Sequence, residues 1–128
     1  MYRKILVPLD GSAFAEQALP HVHNLLAHRT DPVQVHLLLV MPLVQNYSVS
    51  MANLYPFFPA PDSTAAVRAD IERVERDLRT YLAQTAEQVT AWGATTTFEL
   101  RHGSPAEEIL ECVAEVGADL IVMSTHGR

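Results

Sequence analysis

Three stretches of the chain carry large apolar residues with little alternation: Lys4–Asp10 (KILVPLD), Val33–Val40 (VQVHLLLV) and Asp119–Met123 (DLIVM). A continuous apolar run closed by polar residues predicts a strand covered on both faces, as in a parallel sheet. Thr95–Arg101 (TTTFELR) is also β-rich, but it alternates and carries charge, which predicts a strand at the sheet edge. Between these runs the apolar period changes. Ala15, Ala18, Leu19, Val22, Leu25 and Leu26 recur at spacings of three and four and predict an amphipathic helix, with Ser12 as its N-cap and Pro20 bending its interior. Val67, Ile71, Val74, Leu78, Leu82, Val89 and Trp92 mark one face of a long second helix that Gly93 stops. Its opposite face is charged, with Glu72–Arg76 and Glu75–Arg79 at i,i+4. A third helix has Ser104 as N-cap, Pro105 as first helical residue and Glu107 completing a capping box; Ile109, Leu110, Val113 and Ala114 form its buried face and Gly117 ends it.

The resulting order β-α-β-α-β-α-β predicts parallel βαβ units with right-handed crossovers, a single α/β domain of Rossmann-like type. One segment has a different composition. Between Met41 and Thr64 the chain holds four prolines, the aromatics Tyr47, Tyr55, Phe57 and Phe58, and almost no charge. A βα insertion this long is functional or disordered. Its aromatics either clamp a flat ligand or, as the favoured reading, cover an apolar face or meet a partner.

Composition narrows the function classes. The 128 residues are 48% hydrophobic and 19% charged, enough apolar side chain for one real core. A formal net charge of −6 repels nucleic acid and anionic lipid, so neither is expected as a partner. The single cysteine, Cys112, excludes an internal disulfide and fits a reducing compartment. No stretch approaches the ~20 apolar residues of a membrane span, and the short N-terminal apolar run meets Pro8 and Asp10 too soon for a signal peptide. A cytoplasmic protein is expected.

In an open parallel sheet, ligands bind outside the carboxyl ends of the strands. The segments delivered there are Pro8–Ser12, Val40–Pro42, Arg101–Ser104 and Ser124–Arg128, which are also those richest in glycine, serine and proline. Backbone N–H groups at glycine turns and helix N-termini suit phosphate, so a small anionic ligand, a nucleotide above all, is expected on this rim.

KILVPLDGS at the start, AEQAL on the following helix, HLLLVMP at the end of the second strand, HGSPAEEIL, and finally ADLIVMSTHGR occur in this order from end to end. In this combination the chain resembles the universal stress protein family. The resemblance implies the fold of the adenine nucleotide α hydrolases, a parallel sheet of order 3-2-1-4 with a fifth strand beyond the fourth, an ATP or AMP site with Mg as a further candidate, and a homodimer. Nucleotide-binding members carry G-x2-G-x9-G-[ST] after the fourth strand. By the same resemblance Pro8, Leu9 and Asp10 line the adenine and ribose side, Val40 contacts the adenine and Met123 packs near the base. Ser124, Thr125, His126, Gly127 and Arg128 begin the phosphate loop. Gly127 matches the second glycine of the motif, whereas Ser124 replaces the first. The spacer, the final Gly-[Ser/Thr], the last helix and the last strand do not follow. The domain, residues 1–128, is therefore expected to be truncated at its C-terminus, with the fourth strand left as an open edge and nucleotide affinity reduced.

Several residues also carry plainer readings. Asp10 can instead bond its own turn or cap the next helix. Ser12 is an N-cap rather than a nucleophile, since no base is identifiable near it. His21 and His23 point in different directions from one helix and share no metal. His36 is a satisfied, partly buried imidazole, and Cys112 on a helix interior is inert. No general base has an evident partner, so enzymatic activity extends at most to slow ATP hydrolysis. The expected function is a stress-response domain whose shape or partners respond to bound ATP or AMP. The alternative is a dimerisation or scaffold module that needs no nucleotide.

Overall fold

The computed structural model describes residues 2–10, 16–41 and 64–124. The elements follow in the order β1 (Lys4–Leu9), α1 (Leu19–Ala27), β2 (Gln34–Met41), α2 (Thr64–Ala91), β3 (Thr95–His102), α3 (Pro105–Val116) and β4 (Leu120–Ile121). The four strands form one sheet of order β3-β2-β1-β4, the predicted order. Every pairing is parallel: Lys4–Leu9 run beside Gln34–Leu39, Gln34–Met41 beside Thr95–His102, and Ile5–Leu6 beside Leu120–Ile121. The alternating strand Thr95–His102 takes the edge, as its charge requires.

The unbroken apolar runs follow from what covers them. Ile5, Val7 and Leu9 of β1 and Val35, Leu37, Leu39 and Met41 of β2 face a core completed by Leu19, Val22 and Leu26 of α1 and by Val74, Leu78, Leu82 and Val89 of α2. Leu6 and Leu38 point the other way, onto Cys112, Ile109, Val113 and Val116 around α3. Strands β1 and β2 thus bury both sides of their pleat, which removes the polar alternation of a half-exposed strand; β4, predicted to be covered likewise, is a two-residue edge strand with Ile121 38% exposed. On the helices, the stack of His23 on Trp92, with ring centroids 4.6 Å apart and 24° between planes, joins α1 to the chain just beyond α2.

Three local expectations change. Helix α1 opens at Leu19, with Ala18 as N-cap and no side-chain cap, so Pro20 lies in the first turn instead of bending the interior. The missing N–H of a proline costs nothing there, because first-turn N–H groups have no intrahelical acceptor. Ser12 lies outside the described residues. Ser104 does cap α3 with its backbone (φ −79°, ψ 123°), Pro105 follows it, and Gly117 closes the helix with φ 72°. The Ser104 hydroxyl makes no capping bond, so the capping box with Glu107 is not formed. The buried stripe of α3 is Ile109, Cys112, Val113 and Val116, while Leu110 is 68% exposed and Ala114 is exposed too. Spacings of three, four and seven from Ile109 hold one face of a 3.6-residue helix; Leu110 is rotated off it. The insertion between Met41 and Thr64, with Tyr47, Tyr55, Phe57 and Phe58, falls outside the described residues.

Asp119 fastens the amino ends of two strands. Its carboxylate accepts N–H bonds from Arg3 at 3.1 and 3.2 Å and from Lys4 at 3.2 Å, which hold its pKa below the ordinary carboxylate value. A lowered folded-state pKa stabilises at pH above the unfolded value, near 3.8. That contribution disappears as pH falls through the folded value. Asp119→Asn should therefore lower the melting temperature at pH 7, and the gap to the parent should narrow in melts recorded near pH 3. An equal gap at both pH values would mean that the residue acts through shape alone.

Candidate functional site

The parallel register brings four chain segments to one lip of the sheet. Leu9 lies level with Leu39, and Met41 with His102. Val122 N–H donates to Leu6 O at 3.0 Å, so Met123 and Ser124 leave the sheet beside the segment that ends in Asp10. Of the residues singled out in the sequence, Pro8 is half-buried in β1 and Leu9 is buried, so Leu9 offers this rim its backbone. Asp10 is exposed immediately past the strand. Val40 is half-buried beside Leu38 on the α3 face, Met123 is 50% exposed, and Ser124 is half-buried. Thr125, His126, Gly127 and Arg128 lie outside the described residues, as does Gly11.

The far end of the lip is built by β3 and α3. Gly103 N–H donates to Met41 O at 2.9 Å, turning the chain sharply from β3 into α3. Gly103 has φ +148°, a conformation that side chains rarely allow, and a Cβ there would stand 2.8 Å from Glu108 Oε2. His102 Nε2 lies 2.8 Å from Glu75 Oε1, tying the end of β3 to α2. Beneath the lip, the Tyr81 hydroxyl is buried with no hydrogen-bond partner among the described residues. Burial, and then the charge of Glu16, push its pKa up.

A second polar cluster, which no local sequence pattern predicts as a unit, lies under α3. His36 of β2, Thr97, Glu99 and Arg101 of β3, and Cys112, Glu108 and Glu115 of α3 meet there. His36 Nδ1 is 2.6 Å from Thr97 Oγ1 and its Nε2 is 3.2 Å from Glu99 Oε1. His36 is thus the satisfied, partly buried imidazole expected from the sequence. Cys112 Sγ–H donates to Glu99 Oε1 at 3.2 Å, and Arg101 Nε donates to the same oxygen at 2.8 Å. Arg101 also pairs with Glu115 and, at 3.6 Å, with Glu108. Burial, reinforced by the Glu99 bond, pushes the Cys112 thiol up to about 12, which keeps it a thiol and a poor nucleophile. Burial works to raise the pKa of Glu99, but the bonds from Cys112, His36 and Arg101 outweigh it and hold the carboxyl below its usual range. Burial likewise works against the Arg101 charge, and the bonds to Glu115 and Glu99 overcome it, so its pKa is raised. The alternation of Thr97, Glu99 and Arg101 is a sequence signal that one strand face is polar. Only the register of β2 on β3 adds His36 to it.

The Universal stress protein family model matches residues 1–128, the whole of this sequence. The chain belongs to the universal stress protein family. Universal stress protein MJ0531 of Methanocaldococcus jannaschii is 28% identical over 130 residues, covering 100% of this chain and 67% of that relative. Universal stress protein MJ0577 of the same organism is 25% identical over 136 residues, covering 100% of this chain and 79% of that relative. The solved structure of MJ0577 superposes with a TM-score of 0.75, covering 100% of this chain and 78% of that one. A solved universal stress protein from Burkholderia pseudomallei, 28% identical, superposes with a TM-score of 0.68 over 98% of this chain and 83% of its own. The universal stress protein fold, an α/β sheet of order 3-2-1-4, is therefore the fold of this chain. Among the described residues no helix is long and apolar enough to cross a membrane.

Proposed function

We propose that this universal stress protein domain binds ATP or AMP on the carboxyl-end lip of its sheet and acts in the cytoplasm as a nucleotide-responsive switch or partner-binding module. The observation that carries the reading is the meeting of Asp10, Val40, Met123 and Ser124 along one lip, where open parallel sheets take their ligands. On this reading the exposed Asp10 carboxylate accepts from the ribose hydroxyls or faces a phosphate-bound Mg ion. Val40 and Met123 supply apolar contact to the adenine, and the backbones of Pro8 and Leu9 edge it. Ser124 leads into a phosphate loop formed by Thr125, His126, Gly127 and Arg128. No group on the lip forms a base–nucleophile pair among the described residues, so the reading is binding, with hydrolysis at most slow.

Calorimetric titration of ATP, with and without Mg, tests it. Saturable one-to-one binding is expected, and Asp10→Ala should weaken it about tenfold, the worth of one hydrogen bond to a charged group. No heat and no thermal shift at millimolar ATP would remove the nucleotide from the proposal.

A second reading rests on a separate observation: β4 lies at the outer edge of the sheet, with Ile121 38% and Met123 50% exposed. An apolar edge of this kind favours pairing with another copy of the chain. Homodimerisation is accordingly part of the proposal, and a dimer in sedimentation that is indifferent to ATP would favour the scaffold reading over the switch.

A further inference from the structure

Three side chains of different ligand chemistry converge under α3, away from the sheet lip. His36 comes from β2, Glu99 from β3 and Cys112 from α3, and one donor atom of each lies within 4.8 Å of the other two. Cys112 is fully buried, and the His36 and Glu99 side chains keep 12% and 34% of their surface. We propose that His36 Nε2, Glu99 and Cys112 Sγ form a zinc site that clamps α3 to the sheet.

The distances fit the ion. Zinc bonds of about 2.0–2.1 Å to nitrogen or oxygen and 2.3 Å to sulfur, arranged tetrahedrally, hold their donors about 3.3–3.6 Å apart. Glu99 Oε1 already stands 3.2 Å from His36 Nε2 and 3.2 Å from Cys112 Sγ. No pair of donors has to close by more than ~1.5 Å to reach that spacing. The mixed nitrogen, oxygen and sulfur set selects zinc over magnesium or calcium, which take oxygen alone.

The surroundings supply what a histidine ligand needs. Thr97 Oγ1 lies 2.6 Å from His36 Nδ1. Its hydroxyl can rotate to accept from Nδ1–H, which leaves the Nε2 lone pair facing Glu99 and Cys112. A second partner on the far nitrogen is the usual means of fixing a ligating imidazole. A cavity of about 360 Å³ is present elsewhere on the α1–α2 side, but the one that touches this cluster has about 330 Å³ and is lined by His36, Thr97, Gln34, Lys4, Glu115 and Val116. It opens beside the imidazole, and a three-ligand zinc site takes a water as its fourth ligand.

Charge also closes. On binding, the Cys112 thiol gives its proton to water and becomes a thiolate, so thiolate and Glu99 carboxylate together neutralise the dication. Arg101, which now donates to Glu99 Oε1, keeps Glu115 and Glu108 as its own counter-charges. A mono-carboxylate ligand leaves the second oxygen of Glu99 for the guanidinium. Because the thiol must lose its proton to ligate, zinc binding should tighten as pH rises.

Cobalt(II), a spectroscopic stand-in for zinc, tests the site in the whole protein. One equivalent should bind and give both the visible bands of a tetrahedral ion and an ultraviolet sulfur-to-cobalt charge-transfer band, and zinc should displace it. Zinc should also protect Cys112 from alkylation in mild denaturant. Cys112→Ser should abolish the charge-transfer band, and Cys112→Ser and His36→Gln should each weaken zinc by about a hundredfold or more. Thr97→Val, at the positioning residue, should weaken it about 10–100-fold while the tetrahedral spectrum persists. Circular dichroism of each variant separates lost ligation from lost fold, and the Thr97→Val result stands even where a buried substitution unfolds the chain. Cobalt binding without the charge-transfer band, or zinc held as tightly by Cys112→Ser and His36→Gln as by the parent, would overturn the proposal. The first outcome would place the ion away from Cys112.

Discussion

Leu82→Ala is expected to destabilise the protein by about 2–5 kcal/mol, read as a shift of the urea midpoint with an unchanged slope. Leu82 is fully buried at the centre of the α2 face, between Leu78 and Ala86 and against the β1–β2 core. Truncation removes apolar contact and leaves a cavity, and the side chains of the surrounding core are held by helix and strand and cannot collapse into the gap. A domain of this size has roughly 5–15 kcal/mol in all, so the loss is a large fraction of it. Leu110→Ala provides the contrast. With 68% of its surface exposed, Leu110 has little to lose, and its truncation should stay within about 0.5 kcal/mol. Both residues are leucines on a helix, periodicity marks both as core, and only one is. Comparable losses at the two would mean that α3 is covered in solution by something that buries Leu110.

That pair also shows where the sequence is legible. For α2 the apolar stripe is long, so its phase is averaged over many turns and no single residue can shift it; Val74, Leu78, Leu82 and Val89 are all buried. Helix α3 has 12 residues, and the four positions expected as its buried face, Ile109, Leu110, Val113 and Ala114, fit two phases nearly as well. Cys112 decides between them, because it is the buried centre of the stripe and not a bystander. The strands are readable because a short apolar run bounded by turn residues suits a doubly covered strand, and their parallel pairing follows from the alternation with helices. Register is not readable, because it depends on how far each crossover carries the chain before it re-enters the sheet. The lip needs only the strand ends, so the sequence alone places Asp10, Val40 and Met123 near it. The cluster of His36, Glu99 and Cys112 needs the pairing of His36 with Thr97, and no local pattern contains that. Pro20 misleads for a related reason: a proline is read as a bend only when the helix start is known, and the helix that holds Pro20 starts at Leu19.

The charge network under α3 makes the second large expectation, for Arg101→Met. Methionine keeps much of the length and apolar stem of the side chain but removes the guanidinium that pairs with Glu99, Glu108 and Glu115. The Arg101 side chain is 14% exposed, so the guanidinium acts largely out of water, while Glu115 is 61% exposed and contributes less. Losing hydrogen bonds between charged groups in this setting should cost about 1.5–3 kcal/mol. It also takes the formal net charge from −6 to −7, adding repulsion among three carboxylates that converge between β3 and α3. Because that repulsion acts partly through solvent, added salt should return some of the loss in Arg101→Met and little in Leu82→Ala, whose deficit is a cavity. Glu115→Gln alone should cost less than about 1 kcal/mol, since its exposed end is already screened. In a double-mutant cycle Arg101 should couple more strongly to Glu99 than to Glu115, following the burial of the two partners. A loss in Arg101→Met that is the same at low and high salt, with no coupling to Glu99, would mean that the arginine holds α3 by its stem and that the ion pairs beneath the helix are incidental.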